Sequence, residues 1–343
     1  MSCTIVIPHK DRLDHLRWSL RALKTQATQY HFEVIVVDDG SDIRPEKAIS
    51  RSDLPTHTCF INQDSRGAAS ARNAGWRASQ EDVIIFLDCD QIVSPRFVEN
   101  HLTPFERTSA SFLQLGTRRH LGPSYQVDLK TVRTQRCHPD ERIFFFRKTS
   151  FNLANLEIAW HLGFSHNMAI RRSDLVAHGG FDENFIGWGF EDCELAYRMK
   201  AAGVLPVLNP SVEACHQSHV QRMTPEKFQS WLRNLNHFMR KHPTADVDTQ
   251  KALIPVCDPS NRTSGKWLNG LLQMETISRL SAGRALQTTP TREVICSSLA
   301  DLHAVATSGD CPATRAIISP QNTDLFFQSQ LDPALREVRV FVA

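Results

Sequence analysis

Three carboxylates lie close to a tryptophan in residues 187–194, which read GWGFEDCE. The glycines on either side of Trp188 permit φ angles that are closed to other residues, so the indole ring can lie flat against the face of a sugar. Glu191 can accept hydrogen bonds from hydroxyl groups, and Asp192 can act as a general base on an attacking hydroxyl. A helix N-terminus rich in acids is the alternative interpretation. The glycines and tryptophan beside the acids favour a functional site.

A second acidic pair, Asp88 and Asp90, follows the continuous apolar run at residues 83–87. Side chains alternate along a strand, so carboxylates two residues apart at a strand end share a face. Such a pair can hold a divalent cation through oxygen ligands, and the cation can neutralise charge on a departing diphosphate. A solvated turn is the alternative. We expect this pair and Asp192 to face each other across a single cleft.

Two further segments contain residues that suit a nucleotide. Asp39 follows the apolar run at residues 32–37, and its carboxylate can accept the N–H of a base, although Asp-Gly-Ser is also a good turn sequence. In residues 67–79, small side chains beginning at Gly67 allow close approach of the backbone, and Arg72 can contact a phosphate through two hydrogen bonds. Close packing of a helix on a sheet, with Arg72 exposed to solvent, also explains this segment, and both interpretations can hold at once.

Two histidines, His216 and His219, can complete a metal site that begins at Asp90. Their spacing of three residues suits zinc only if further ligands join them. The chain has 15 histidines, and a lone histidine is usually structural. The acidic motifs elsewhere in the chain are the reason to consider these two histidines as metal ligands.

Continuous apolar runs alternate with helical patterns in the first part of the chain. The runs predict strands buried on both faces, at residues 4–7, 32–37 and 83–87, and a weaker strand is possible near residues 58–61. Helices are predicted at residues 13–23 and 67–79, from Asp192 to Ala202, and after Pro225. Strands that alternate with helices predict a parallel α/β sheet, whose carboxyl edge binds ligands. We expect Pro8 to end the first strand.

The bulk composition excludes some classes of protein. Of the 343 residues, 41% are hydrophobic, and the net charge of +2 gives no electrostatic case for a nucleic-acid partner. The first apolar run is too short for a signal peptide, and no run approaches the roughly 18 residues that span a bilayer. We therefore expect a cytoplasmic protein with no transmembrane segment and with free thiols. Peripheral membrane association stays open.

Six segments occur in an order that resembles a known family: IVIPHKDR, VVDDGSD, RGAASARNAG, FLDCD, GGFDENFIGWGFEDCELAYRMKAAG and CHQSH. The order is similar to that of family 2-type glycosyltransferases with the GT-A fold. The GWGxED segment is also similar to the galactosyltransferase C-terminal motif and to chondroitin-polymerase-like enzymes. The resemblance covers residues 2–222 and implies a GT-A catalytic domain at residues 1–245, with a mostly parallel, Rossmann-like sheet flanked by helices. Residues 246–343 are then a C-terminal extension of unknown role.

This resemblance implies a nucleotide-sugar donor, with a UDP-sugar favoured, and a divalent cation, Mn²⁺ or Mg²⁺. By matching position, Pro8 and Asp39 line the base pocket. Gly67 and Arg72 lie near the donor, and Asp88 approaches the ribose or the metal.

The same resemblance implies the remaining roles. Asp90 ligates the metal together with His216, and His219 is the second choice of histidine. Asp192 is the catalytic base, and Glu191 binds the acceptor. Relatives that retain the anomeric configuration carry Asn after the Glu of this motif, so Asp192 favours inversion.

Several alternatives stay open at this stage. The chain has Pro-His-Lys at residues 8–10, where relatives often have Thr-Tyr-Asn, so the base and the sugar are undetermined. The acceptor is a saccharide, a lipid carrier, a peptide or a small molecule. A dinucleotide oxidoreductase is disfavoured because no GxGxxG follows the first strand. A sugar nucleotidyltransferase and a non-catalytic nucleotide-sugar-binding protein are the remaining rivals.

Overall fold

The computed structural model describes residues 1–125, 127–148, 152–219, 223–261, 267–284, 292–308, 311, 314–319, 322–335 and 338–342. Among these residues, nine strands form one large sheet in the order β3-β2-β1-β4-β8-β6-β9-β5, and β7 pairs with β6. Their bounds are β1 Ser2–His9, β2 His31–Asp39, β3 Thr58–Gln63, β4 Val83–Leu87, β5 Gln91–Val93, β6 Phe112–Leu121, β7 Cys137–His138, β8 Asn167–Arg171 and β9 Leu205–His216.

Helices flank this sheet, as the α/β pattern predicts. Those of the first 281 residues are α1 Leu13–Lys24, α2 Pro45–Ala48, α3 Ala68–Ala78, α4 Phe97–Arg107, α5 Glu141–Lys148, α6 Arg172–His178, α7 Glu191–Ala201, α8 Pro225–Lys241, α9 Ala245–Asp248, α10 Ile254–Cys257 and α11 Trp267–Ser281. Helix α7 begins one residue before the predicted start and ends before Gly203, whose φ is +87°. The predicted helix after Thr224 is α8, and the Thr224 side chain caps it.

The central strands are buried on both faces, which confirms the prediction from their continuous apolar runs. Alternate residues of β4 enter two different cores: Ile84 and Phe86 pack in one, and Ile85 and Leu87 in the other. The second core also contains the apolar face of α1. Sheet and helices therefore stack in layers that hold the carboxyl ends of the strands at one edge.

The strands β3, β2, β1 and β4 run parallel to one another. Strand β1 continues through Pro8 to His9, so the prediction that Pro8 ends the strand is wrong. Strand β4 pairs only with residues 3–6 of β1, whereas β2 pairs with β1 as far as His9. Pro8 thus has one neighbouring strand, a position in which a missing N–H is tolerated.

The other half of the sheet mixes directions. Strand β8 runs antiparallel to β4 and β6, and β6 runs parallel to β9. Strand β9 then returns antiparallel to β5, which places His216 opposite Gln91. This return brings the end of β9 beside the acidic segment that follows β4.

Residues 246–343 fall into two parts in the structure. Val247, Leu253, Leu271 and Met274 join the same hydrophobic core as α7 and α8. Further along, a second sheet of three parallel strands contains β10 Arg292–Cys296, β11 Thr314–Ile318 and β12 Arg339–Val342, with helices α12 Leu299–Thr307 and α13 Thr323–Leu331. In the residues that the structure describes, no helix combines the length and apolar character needed to cross a bilayer.

Candidate active site

The loop before α7 has a left-handed backbone at three residues. Gly187, Gly189 and Phe190 have φ values of +87°, +100° and +74°, which confirms the positive φ expected of the two glycines. Helix α8 holds the loop, because the Ser230 hydroxyl accepts a hydrogen bond from the N–H of Trp188 at 3.0 Å. A Cβ atom at position 187 would lie 2.2 Å from that hydroxyl oxygen. This position therefore requires glycine.

Asp192 lies in the first turn of α7, with both carboxylate oxygens bound to backbone amides. Oδ2 accepts a hydrogen bond from the N–H of Ser165 at 3.2 Å, and Oδ1 accepts one from the N–H of Cys193 at 2.8 Å. The residue is partly exposed, so lone pairs are left for a further partner. These contacts fix the direction of the side chain.

Arg72 of α3 joins the two acidic motifs. Its Nη2 atom lies 2.9 Å from Oδ1 of Asp88, and its Nη1 atom lies 3.2 Å from Oε1 of Glu191. The Arg72 side chain is only 6% exposed, which excludes the interpretation that it extends into solvent. The end of β4 and the start of α7 thus lie at one site, as the sequence predicts for these motifs.

The pKa values of Glu191 and Asp192, the first two acids of α7, are raised. Burial, followed by the charge of Asp192, raises the pKa of Glu191 to about 7, and the Arg72 cation opposes this rise. Burial also raises the pKa of Asp192, again against Arg72. A carboxylate with a raised pKa is a stronger proton acceptor once it is ionised. The pair is therefore suited to general base chemistry.

Asp90, His216 and His219 form a compact group at the other acidic motif. Oδ2 of Asp90 lies 2.9 Å from Nε2 of His219 and 3.5 Å from Nε2 of His216. One ligand atom from each residue lies within 4.8 Å of the other two. Neighbouring ligand atoms of an ion bound at about 2.1 Å are about 3 Å apart in octahedral geometry. The group therefore fits a single divalent cation.

Asp90 is buried, yet its pKa is lowered. Burial acts to raise this pKa, but hydrogen bonds and charge from His216 and His219 outweigh burial. Strand pairing produces the contact, since the N–H of Gln217, just after β9, donates to the carbonyl oxygen of Asp90 at 2.9 Å. A carboxylate that binds a metal must stay ionised, and Asp90 meets this requirement.

Asp88 has different neighbours from Asp90. Strand β4 ends at Leu87, and residues 88–90 do not belong to a strand, so strand alternation does not set the directions of these carboxylates. Asp88 contacts Arg72, whereas Asp90 contacts the histidines. In the described residues, the candidate metal group contains Asp90 and not Asp88.

The residues predicted for the nucleotide lie at the carboxyl ends of β1 and β2. Asp39 is buried, and its carboxylate accepts hydrogen bonds from the side chain of Gln63 and from the N–H groups of Arg66 and Gly67. These three distances are 2.7, 2.7 and 2.9 Å. Asp39 therefore shapes the loop before α3, and Pro8 lies on the neighbouring strand β1.

Sequence reasoning missed residues after β1 that approach the metal group. Nδ1 of His9 is 3.0 Å from Oδ1 of Asp38, and Nε2 of His9 accepts a hydrogen bond from the N–H of Arg12 at 3.2 Å. The Arg12 guanidinium lies 3.8 Å from Oδ2 of Asp90. Residues 8–10 read Pro-His-Lys, which draws attention to His9, but no local pattern marks Arg12.

Comparison with protein families supports this assembly of motifs. Residues 4–178, about half of the chain, match the family described as Glycosyl transferase family 2. This chain belongs to glycosyl transferase family 2. Residues 148–224, which contain the start of α7, also match the family described as N-terminal domain of galactosyltransferase. The family predicted from the order of the motifs is therefore confirmed.

Individual family 2 relatives resemble the chain over part of their length. Validoxylamine A glucosyltransferase of Streptomyces hygroscopicus subsp. jinggangensis (strain 5008) is 28% identical over 261 residues, which are 70% of this chain and 61% of that protein. Chondroitin synthase of Escherichia coli is 28% identical over 224 residues, which are 58% of this chain and 32% of that protein. The chain thus spans less than two thirds of the length of these relatives.

A solved structure resembles the chain more broadly. S. aureus TarS 1-349 in complex with UDP-GlcNAc aligns with a TM-score of 0.51 and 13% sequence identity, over 83% of this chain and 93% of that chain. At this identity the likeness concerns the fold alone. It confirms the predicted GT-A fold class, in which a mostly parallel sheet is flanked by helices.

Proposed function

We propose that this family 2 protein transfers a sugar from a nucleoside-diphosphate sugar to an acceptor nucleophile, with inversion at the anomeric carbon. The observation that carries the proposal is the Arg72 bridge between Asp88 and Glu191. It unites the acidic segment after β4 with the acidic start of α7. Sugar transfer needs both at one site, since one group must hold the leaving diphosphate while another deprotonates the acceptor.

Asp192 is the proposed general base. The amides of Ser165 and Cys193 orient its carboxylate, and its raised pKa strengthens it as a proton acceptor. The acceptor oxygen attacks the anomeric carbon while the bond from that carbon to the diphosphate oxygen breaks. The proton moves to Asp192, and the electron pair leaves with the diphosphate. A single displacement of this kind inverts the anomeric carbon. Glu191 and Trp188 are the proposed acceptor-binding residues.

Asp90, His216 and His219 are the proposed ligands of a divalent cation, Mn²⁺ or Mg²⁺. The close spacing of one carboxylate and two imidazoles supports this assignment. When bound, the cation would supply positive charge that stabilises the departing nucleoside diphosphate. Asp88 is proposed to approach the ribose or the metal, and Arg72 to lie near the donor.

Pro8, Asp39 and Gly67 are the proposed nucleotide-binding residues, with a UDP-sugar as the proposed donor. A saccharide, a lipid-linked, a peptide or a small-molecule acceptor can each supply the nucleophile. The sequence predicts a domain boundary at residue 245, and we propose a later one. Apolar residues of α11 join the catalytic core, which argues that the catalytic unit extends to residue 281.

A panel of UDP- and GDP-sugars tests the proposed function. Each donor is incubated with the full chain and Mn²⁺, and nucleotide release and sugar transfer are followed by mass spectrometry. We expect one donor to be consumed with Mn²⁺ but not with EDTA, and NMR of the product to show the anomeric configuration opposite to that of the donor. Nucleotide binding without release or transfer would instead favour a non-catalytic binding protein, and a retained configuration would exclude direct displacement.

A further inference from the structure

Two cationic side chains, Arg12 and Lys227, contact residues of the candidate active site. Arg12 precedes α1, and its guanidinium is 38% exposed and reaches Oδ2 of Asp90 only at 3.8 Å. Lys227 lies in the first turn of α8, where its N–H is bound by the capping hydroxyl of Thr224. The two residues come from opposite ends of the catalytic region in sequence, and each contacts one of the two candidate motifs: Arg12 contacts Asp90, and Lys227 contacts Trp188.

Lys227 approaches the site across an aromatic ring. Its ammonium nitrogen lies 4.2 Å from the centre of the Trp188 ring, at a distance typical of a cation–π contact. Trp188 is itself 45% exposed. Within the described ranges of the chain, no carboxylate forms an ion pair with Lys227. The ammonium group is therefore available to a further anion.

The charge of Arg12 also acts on Lys227. The pKa of Lys227 is lowered, first by its partial burial and then by the charge of Arg12. Two like charges held together, one of them partly withdrawn from water, destabilise each other unless an anion lies nearby. Arginine and lysine are both common partners of phosphate groups.

The charges of the proposed reaction identify the anion. The diphosphate of a nucleotide sugar is negatively charged, and it gains a further negative charge when the bond to the sugar breaks. Cations placed at the leaving oxygens stabilise that charge as it develops. Arg12 lies beside Asp90, the proposed metal ligand, so its guanidinium is next to the place where the diphosphate is proposed to bind.

We propose that Arg12 and Lys227 together bind the diphosphate of the donor and stabilise it as it leaves. This inference rests on the proposed function, because it assumes a nucleoside-diphosphate donor. It assigns to the diphosphate two residues that are distant in sequence, on α8 and before α1. Trp188 then has two roles: it holds Lys227 by its ring and lies beside the acceptor.

Calorimetric titrations test this proposal. UDP, GDP, UMP and GMP are titrated with Mn²⁺ into the wild-type chain and into Arg12→Gln and Lys227→Gln. We expect each variant to bind the preferred nucleoside diphosphate about tenfold more weakly, while affinity for the matching monophosphate changes less than twofold. Lys227→Arg keeps the charge and should keep most of the affinity. Thermal unfolding shows whether each variant is folded.

Matched controls remove the same charge elsewhere. Arg233 lies on the exposed face of α8, and Arg44 lies in the exposed segment before α2. Arg233→Gln and Arg44→Gln should both bind the nucleoside diphosphate like wild type. Unchanged diphosphate affinity in Arg12→Gln and Lys227→Gln would overturn the proposal, as would an equal loss of monophosphate affinity. If wild type binds neither diphosphate and releases no sugar, the proposed function itself fails before the variants are compared.

Discussion

Asp90 and the pair Glu191–Asp192 are acids of one site, but they differ in their partners. Asp90 accepts hydrogen bonds from two imidazoles, and its pKa is lowered although it is buried. Glu191 and Asp192 are adjacent in the first turn of α7, where burial raises the pKa of both. Arg72 opposes that rise but does not cancel it.

The difference shows that burial alone does not decide what a carboxylate can do. Burial acts to raise the pKa at all three acids, and the neighbouring side chains decide the outcome. Asp90 is held as an anion suited to a metal ligand, whereas Asp192 is suited to take up a proton. The predictions below test this division between the two groups.

Asp90→Asn should have the largest effect on the metal half of the site. The amide oxygen is a weaker ligand than the carboxylate, so we expect loss of Mn²⁺ binding and a fall in turnover of about 10³-fold, similar to the effect of EDTA. Electron paramagnetic resonance of Mn²⁺ measures the binding directly. Asp88→Asn is the matched control and should retain Mn²⁺ more strongly, because Asp88 contacts Arg72 instead. Equal Mn²⁺ loss in both variants would place both acids on the metal.

Arg72→Gln should change the pH dependence of kcat, because Arg72 contacts the acidic start of α7, which contains the proposed base. Arg72 lowers the pKa of both Glu191 and Asp192, so its removal raises both. A general base works only when ionised, and the acidic limb of kcat should therefore move to higher pH. Profiles of kcat at saturating donor measure the shift, with Arg72→Lys as the charge-retaining control. If the acidic limb of the Arg72→Gln profile does not move, Arg72 does not control the pKa of the base.

Trp188→Ala should have the smallest effect of these three. The ring is 45% exposed, so its loss should cost little stability, but the acceptor loses a stacking surface. We expect the acceptor KM to rise about tenfold and kcat to fall by a smaller factor, because Lys227 loses the ring that it contacts. Trp188→Phe should recover part of both losses. Steady-state kinetics with varied acceptor provide the measurement. A normal acceptor KM would remove Trp188 from acceptor binding.

The parallel half of the fold could be predicted from the sequence, but the mixed half could not. Strands such as β4 are continuous apolar runs, and their type follows from composition. Strands β6 and β8 contain buried polar residues, including Gln114 and Asn167, which share hydrogen bonds with His101 of α4. The hydrogen-bond partners of these polar groups lie at distant positions in the sequence, so no local pattern predicts these strands.

The candidate site, like the fold, could be predicted only where a short segment carries the pattern. The acids could be identified because their types and spacing are unusual over short segments. Three contacts depend on tertiary packing: the Arg72 bridge, the contact of Asp39 with the loop before α3, and the approach of Arg12 to Asp90. Strand alternation also misled at residues 88–90, because β4 ends before them.

The most direct test of the account is the rate of sugar transfer by Asp192→Asn at saturating donor, alongside Glu191→Gln. The asparagine cannot accept the proton, so we expect kcat to fall about 10²- to 10⁴-fold while affinities for Mn²⁺ and the nucleoside diphosphate stay within twofold of wild type. Glu191→Gln should retain most of kcat and raise the acceptor KM. Near-normal transfer by Asp192→Asn would contradict the assignment of Asp192 as the base.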